Sequence, residues 1–472
     1  MIKKFRSLFI GDKAFYAMVF AVALPIMIQN GITNLVGLLD NIMVGRVGTV
    51  QMTGVAIVNQ IIFVFNLAIF GAVAGAGIFG AQFHGSGNTE GVRYTFRFKL
   101  LISTAVTAVA VFIFLVFGED LIRLFLLGEG ETENIEASLS YGLGYMRIML
   151  WGLLPFALVQ CYSGTLRETG ETVLPMKAGI VSVLVNLCLN SILIFGLFGF
   201  PALGADGAAL ATVISRFAEC GIVVIWTHSH SAKHPFIKGA LRSLRIPVEL
   251  VGRISLKAAP LILNETLWAL GSSLLAQSYS MRGYEVVSAH NIASTVNNLF
   301  IIAFLAMGNA IGIIVGQQLG AGKTEEAVSS ARKLTLFSVA ICVLLGGVLA
   351  VAAPFFPLIY KTGSDIQSLA TGLIIIMAAT MPIHALAHAY YFTLRSGGRI
   401  LITMIFDSFY VCGITFPLAY VLSRFTPMPI LPLFFCCQII EVGKCILGAI
   451  MVKKRIWVRN IVGDRSANNK NA

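Results

Sequence analysis

The chain has 472 residues, 57% of them apolar and only 12% charged, and its mean hydropathy is +0.85. Soluble proteins carry about 25% charged residues, so the polar coat of a water-soluble globule is missing and an all-α integral membrane protein is expected. The net charge of +12 would suggest nucleic acid in a soluble protein. Here the basic residues gather in alternate connections between apolar segments, a topology signal, and no nucleic-acid partner is expected.

The N-terminal MIKKFRSLFIGDK is basic, but no small-residue cleavage site follows the first apolar run, so that segment is expected to persist as a helix. Apolar runs broken by Gly, Pro and charge predict twelve spanning helices, at 14–45, 51–81, 96–117, 138–164, 173–198, 204–227, 251–281, 286–316, 333–356, 366–394, 400–423 and 429–453. At about 20 residues per span, twelve helices leave short loops and no room for a soluble domain. The connections with Arg93, Arg97 and Lys99, with Arg167 and Lys177, with Lys233, Lys238, Arg242, Arg245, Arg253 and Lys257, and with Lys453, Lys454 and Arg455 are basic. Those between them, such as GEGETENIE at 128–136 and GFPALGADG at 199–207, are acidic or neutral. Both termini and the central loop are therefore expected on the cytoplasmic side of a multi-pass protein of the cell membrane. The eight cysteines form no CxxC pair and are expected as small core or lipid-facing residues.

The chain repeats itself. A shift of 235 residues superposes Pro25 on Pro260, Gly48 on Gly283, Gly77 on Gly312, and QFHGSGNTE at 82–90 on QQLGAGKTE at 317–325. With a small change of register, TLRETG at 165–170 meets TLRSGG at 393–398. Each half holds six spans, an even number, so both enter from the same side and form parallel repeats about an axis along the membrane normal, with a substrate path expected between them. The expected organisation is a six-helix lobe at 1–227, a cytoplasmic linker at 228–250, a second six-helix lobe at 251–455 and a cytoplasmic tail at 456–472.

LPIMIQNGITNLVGLLDNIMVGRVGT in the first span, the AQFHGSG and GQQLGAG turns, TLRETGET after the fourth span, and NLCLNSILIFGLFG with GADGAALAT through the fifth and sixth resemble segments of the multidrug and toxic compound extrusion (MATE) family. The resemblance covers about 15–455. It implies a secondary antiporter that exports amphipathic, mostly cationic organic compounds in exchange for Na+ or H+, with no cofactor and no metal beyond a coupling sodium, expected as a monomer.

Ionisable residues inside spans are functional candidates by default, and they are few. Asp40 lies fifteen residues beyond Pro25 in the first span; the plain alternative is an acid solvated at a helix end. Asn186 and Asn190 are four apart and share a face, as do Ala208 and Thr212. One carboxylate with several neutral oxygens suits a hard monovalent cation. The alternative for the two asparagines is helix–helix hydrogen bonding. The resemblance assigns a cation site to Asp40, Asn186, Asn190 and Thr212, with Ala208 supplying backbone oxygen. It also assigns a carboxylate such as Glu265 to cation or substrate binding in the second lobe, where a lysine ion pair is the alternative. Pro25 is expected to act as a helix-bending switch, and Gln29, His384, His388 and Tyr391 as cavity-lining residues. The two histidines four apart could hold a metal, but no third ligand stands near them in sequence. Asp407 on the eleventh span, and Glu441 with Lys444 three residues on in the twelfth, are candidates for a helix-face ion pair near the cytoplasmic side, of open role.

No nucleophile motif, Walker loop or Gly-rich fingerprint opens a helix after a strand, so no enzyme is expected and transport is secondary. A flippase of lipid-linked sugars is the nearest alternative. A membrane-embedded lipid enzyme would need a clustered acid, His or Ser constellation, which is missing from the sequence.

Overall fold

The computed structural model describes residues 10–126, 132–360 and 362–463. The first nine residues of the basic N-terminal stretch, positions 127–131 of the acidic connection and the last nine of the tail lie outside the described residues. Among the described residues there are helices and no strands. The helices are α1 Lys13–Gly45, α2 Thr49–Gly85, α3 Thr89–Leu126, α4 Asn134–Glu168, α5 Val173–Phe195, α6 Gly204–Ser229, α7 Val248–Ser280, α8 Tyr284–Gly320, α9 Thr324–Ala352, α10 Ser364–Ser396, α11 Ile400–Phe425 and α12 Ile430–Lys453. Eleven of them are long and apolar enough to cross a membrane. The exception is α7, where Asn264, Glu265, Thr266, Ser272, Ser273 and Gln277 lower the hydropathy of a helix that has 33 residues. At 1.5 Å per residue that helix still exceeds a hydrocarbon core about 30 Å thick.

The basic residues counted with the connections lie inside helices; five of the seven already fall within the predicted spans, and Arg93 and Arg167 lie just beyond them. Arg93, Arg97 and Lys99 belong to α3, Arg167 to α4, Lys177 to α5, and Arg253 and Lys257 to α7. The buried heads among them find acceptors in the protein and need no loop to carry them to water. Arg97 donates to the carbonyls of Ala240 at 2.8 Å, Gly239 at 2.9 Å and Arg245 at 3.0 Å. Lys99, fully buried, lies 2.6 Å from both oxygens of Glu168 and 3.0 Å from Thr165 Oγ1. The segment between α6 and α7 is thereby tied to α3, and Arg93 adds bonds to the carbonyls of Phe236 and Pro235.

The residues sort into two compact units. One comprises Met1–Met27, Ala81–Asn88 and Leu263–Ala472; the other, Ile28–Gly80 and Thr89–Ile262. The two helices that carry the repeat's prolines, Pro25 and Pro260, change unit two residues beyond the proline, α1 after Met27 and α7 after Ile262. In the first unit Val19, Val22, Ala23 and Ile26 of α1 pack with the C-terminal half of α8, the start of α9, Leu394 and Trp457. A second cluster joins the C-terminal part of α7 to α8, α9, α10 and α12. The second unit is built on α2 to α6, where α5 and α6 approach closely because a side chain at Gly207 would collide with the carbonyl of Leu193.

The repeat seen in the sequence recurs in backbone geometry. α2 ends with Gly87 at φ +75, Gly87 N–H bonding His84 O at 3.0 Å and Asn88 N–H bonding Phe83 O at 2.9 Å. α8 ends with Gly322 at φ +74, Gly322 N–H bonding Leu319 O at 3.1 Å and Lys323 N–H bonding Gln318 O at 2.9 Å. Both are Schellman caps, which need the left-handed conformation that glycine adopts freely. The helix ends cross reciprocally: a side chain at Gly85 would strike the carbonyl of Gln317, and one at Gly320 the carbonyl of Gln82.

Candidate functional site: a lone carboxylate and an ion-paired cavity

In the second unit, α1, α5 and α6 bring four of the expected residues together. Asn190 Nδ2 donates to Asp40 Oδ1 at 2.5 Å. Asn186 has one end of its amide 3.0 and 3.3 Å from the two Asp40 oxygens and the other 3.3 Å from Thr212 Oγ1. With its nitrogen toward Asp40 both ends are satisfied: the amide donates to the carboxylate and its oxygen accepts from Thr212. Asn186 and Asn190 are buried, and Ala208 is buried one turn before Thr212 on α6. Asp40 has amide partners and no basic side chain within ion-pair distance among the described residues. Asn190 Oδ1 is buried without a hydrogen-bond partner. A carboxylate with no cationic partner among the described residues, beside an orphaned amide oxygen, is a group that a hard monovalent cation would fit once the amides turn their oxygens toward it. Gln29 lies in the same unit, accepting from Arg167 Nη2 at 2.5 Å and facing Gly179 of α5.

The first unit holds a cavity of about 300 Å³. Its walls include Trp268, Tyr279, Phe304 and Phe434 with His384, His388, Gln438, Asp407, Glu441 and Lys444. His384 bonds Gln438 Oε1 at 2.7 Å, and the ring of His388 lies 5.0 Å from that of Phe304. Tyr391 faces Asn264 at 3.2 Å and donates to Glu265 Oε1 at 3.4 Å, and neither Tyr391 nor Glu265 is a wall residue of this cavity. Lys444 pairs with Asp407 at 2.7 Å and with Glu441 at 3.6 Å. The Glu441–Lys444 spacing is readable in the sequence; the Asp407 contact, between helices, is not. Nor are the two π-helical turns of α11, Ile405–Phe409 and Val411–Thr415, the first of which carries Asp407. Such turns insert an extra residue into the helix and are frequent at functional sites. Pro25 is buried in α1, Pro260 lies inside α7, and Pro382 lies inside α10.

A family model described as MatE matches this chain twice, over residues 25–192 and 260–421, each match beginning at the repeat's proline. The chain belongs to the MatE family. It is a multi-pass membrane transporter and not an enzyme. It is 26% identical over 420 residues to "Probable multidrug resistance protein YoeA" of Bacillus subtilis strain 168, covering 86% of this chain and 87% of that one. Against "Probable multidrug resistance protein NorM" of Thermotoga maritima it is 26% identical over 428 residues, covering 87% and 86%. A crystal structure of MATE in complex with MaL6 superposes with TM-score 0.85 over 99% of both chains at 18% identity. This MatE-family chain thus has the expected all-α membrane fold, with twelve long helices among the described residues.

Proposed function

We propose that the chain exports amphipathic, mostly cationic organic compounds, drugs among them, in exchange for inward movement of Na+ or H+. The two multidrug-resistance relatives support the substrate class. The observation that carries the coupling is the Asp40 cluster: a carboxylate in a spanning helix with amides around it and no basic partner among the described residues. Such a group is costly to keep charged in an apolar setting, so a cation or a proton is its natural partner. Asn186, Asn190 and Thr212 would hold that cation with Asp40, and the backbone at Ala208 would add a further oxygen.

A ligand that prefers one helix shape shifts the population toward it. Pro25 removes a backbone hydrogen bond in the same helix, so occupancy at Asp40 biases α1 between straighter and more bent forms and changes the affinity for the organic substrate. The cavity of about 300 Å³ is of drug-binding size, its aromatic walls suit an organic cation, and Glu265 with Tyr391 lies on the helices that form it. By the distribution of basic residues, both termini and the segment between α6 and α7 face the cytoplasm. The protein acts as a monomer.

The test is gradient-driven export of a fluorescent organic cation from proteoliposomes. Asp40→Asn should insert normally yet abolish export under sodium and proton gradients alike. Full, gradient-dependent export by Asp40→Asn would remove the site from the mechanism.

A further inference from the structure

The charges in the cavity of the first unit are not used by the function proposed above. Lys444 Nζ stands between Asp407 Oδ1 at 2.7 Å and Glu441 Oε2 at 3.6 Å, and the side chains of all three are at most 14% exposed. The outer oxygens of the two acids are also held. Asp407 Oδ2 accepts from Asn264 Nδ2 at 3.3 Å, and Glu441 Oε1 accepts from Thr415 Oγ1 at 3.4 Å. Ser408 fixes the Asn264 amide by donating to its Oδ1 at 2.7 Å, which turns the nitrogen toward Asp407. Asp407 and Ser408 lie in one π turn of α11 and Thr415 closes the next, so the irregular stretch of that helix supplies most of the shell.

The two units therefore differ in one respect. Among the described residues Asp40 has amide neighbours and no ammonium, whereas the pair Asp407 and Glu441 has an ammonium of the protein's own between them. Both acids and the lysine border the cavity. The head group sits where a small cation entering from it would meet two carboxylates.

We propose that Lys444 is a tethered cation. Its ammonium takes, in the first unit, the position between Asp407 and Glu441 that a free alkali cation would otherwise take, and ion coupling is thereby confined to the Asp40 cluster. The second half of this statement rests on the function proposed above; the first does not. With Lys444 in place the trio carries a net charge of −1, and without it −2, in a setting where an uncompensated buried charge is strongly unfavourable. A cation arriving through the cavity would relieve it, and the shell of Asn264 and Thr415 would already hold the two carboxylates in place.

The experiment is equilibrium binding of radiolabelled sodium to the purified full-length chain, with thermal stability followed over a sodium series. Lys444→Gln should bind one more sodium per chain than the wild type and be stabilised by sodium more steeply, as linkage requires. Lys444→Arg, which keeps a cation, should bind the wild-type number, and Lys444→Gln with Asp407→Asn should return to it. Equal binding by Lys444→Gln and the wild type would overturn the proposal. So would a Lys444→Gln chain that stays unfolded at every sodium concentration while the double variant folds, because sodium should then have filled the gap. Asp40→Asn separates the two readings. If it leaves the sodium count unchanged while Lys444→Gln raises it, Asp40 holds no sodium and the tethered cation stands.

Discussion

The ion pair of Lys99 with Glu168 makes a sharp prediction about stability. Lys99 is fully buried on α3, its ammonium 2.6 Å from both Glu168 oxygens and 3.0 Å from Thr165 Oγ1. The carboxylate sits in a notch that Gly77 and Gly80 of α2 leave open, where any side chain would collide with it. Lys99→Met leaves that carboxylate buried and unpaired, a loss of about 3–5 kcal/mol. At 1.4 kcal/mol per tenfold change, this is about two to four orders of magnitude in the unfolding equilibrium. Replacing both partners removes the stranded charge, so Lys99→Met with Glu168→Leu should recover most of the loss. Denaturant unfolding in detergent micelles of the wild type, both single variants and the double variant closes the cycle, with a coupling energy of at least about 2 kcal/mol expected. Strictly additive single and double variants would refute the reasoning and place Lys99 in contact with water.

Pro25→Ala should weaken ion coupling while leaving binding of the organic substrate within about threefold (under 1 kcal/mol), measured as dye affinity against gradient-driven export in the same proteoliposomes; unchanged coupling would move the switch out of α1. Burial pushes the Glu171 carboxyl up, but the Lys233 ammonium at 2.6 Å and the Leu174 N–H outweigh it and hold it below the usual carboxylate range. A lowered carboxyl stabilises above its unfolded value and loses that contribution as pH falls through the folded one. The difference in Leu174 amide protection between wild type and Lys233→Gln should therefore be present at neutral pH and be lost in acid, at pH values below the usual carboxylate range, remaining small throughout because Lys233 is largely exposed. Single cysteines at Leu244 and at Phe198, both exposed, should be labelled from the cytoplasmic and the outer side respectively, and labelling of both from one side would contradict the topology.

Helix number and the internal repeat were legible because apolar length and glycine position are local signals, and the paired Schellman caps at Gly87 and Gly322 show the repeat down to single hydrogen bonds. The gathering of Asp40, Asn186, Asn190 and Thr212 was also legible, since acids and amides are rare enough in spans to stand out. Helix ends were read short, with Arg93 and Arg167 left outside 96–117 and 138–164 though they lie in α3 and α4; what makes Arg97 and Lys99 tolerable in α3 was not legible, because the carbonyls of 239–245 and Glu168 that accept their hydrogen bonds are 69 or more residues away. The Asp407–Lys444 pair joins positions 37 apart on different helices, and the π turns that aim Asp407 have no residue-level signature. Gln82 shows the same limit, its amide nitrogen bonded to the carbonyls of Ser396 and Arg459 and its oxygen to Ile461 N–H, across more than 300 positions.

The central claim is that outward movement of an organic cation and inward movement of an ion through the Asp40 cluster are one event. Proteoliposomes given a steep gradient of the organic cation, with sodium and proton concentrations equal on both sides, test it directly. Dissipation of the organic gradient should drive sodium or protons in the opposite direction against a rising gradient, and Asp40→Asn should abolish that ion movement. Equilibration of the organic cation with no opposing ion flux would contradict the account.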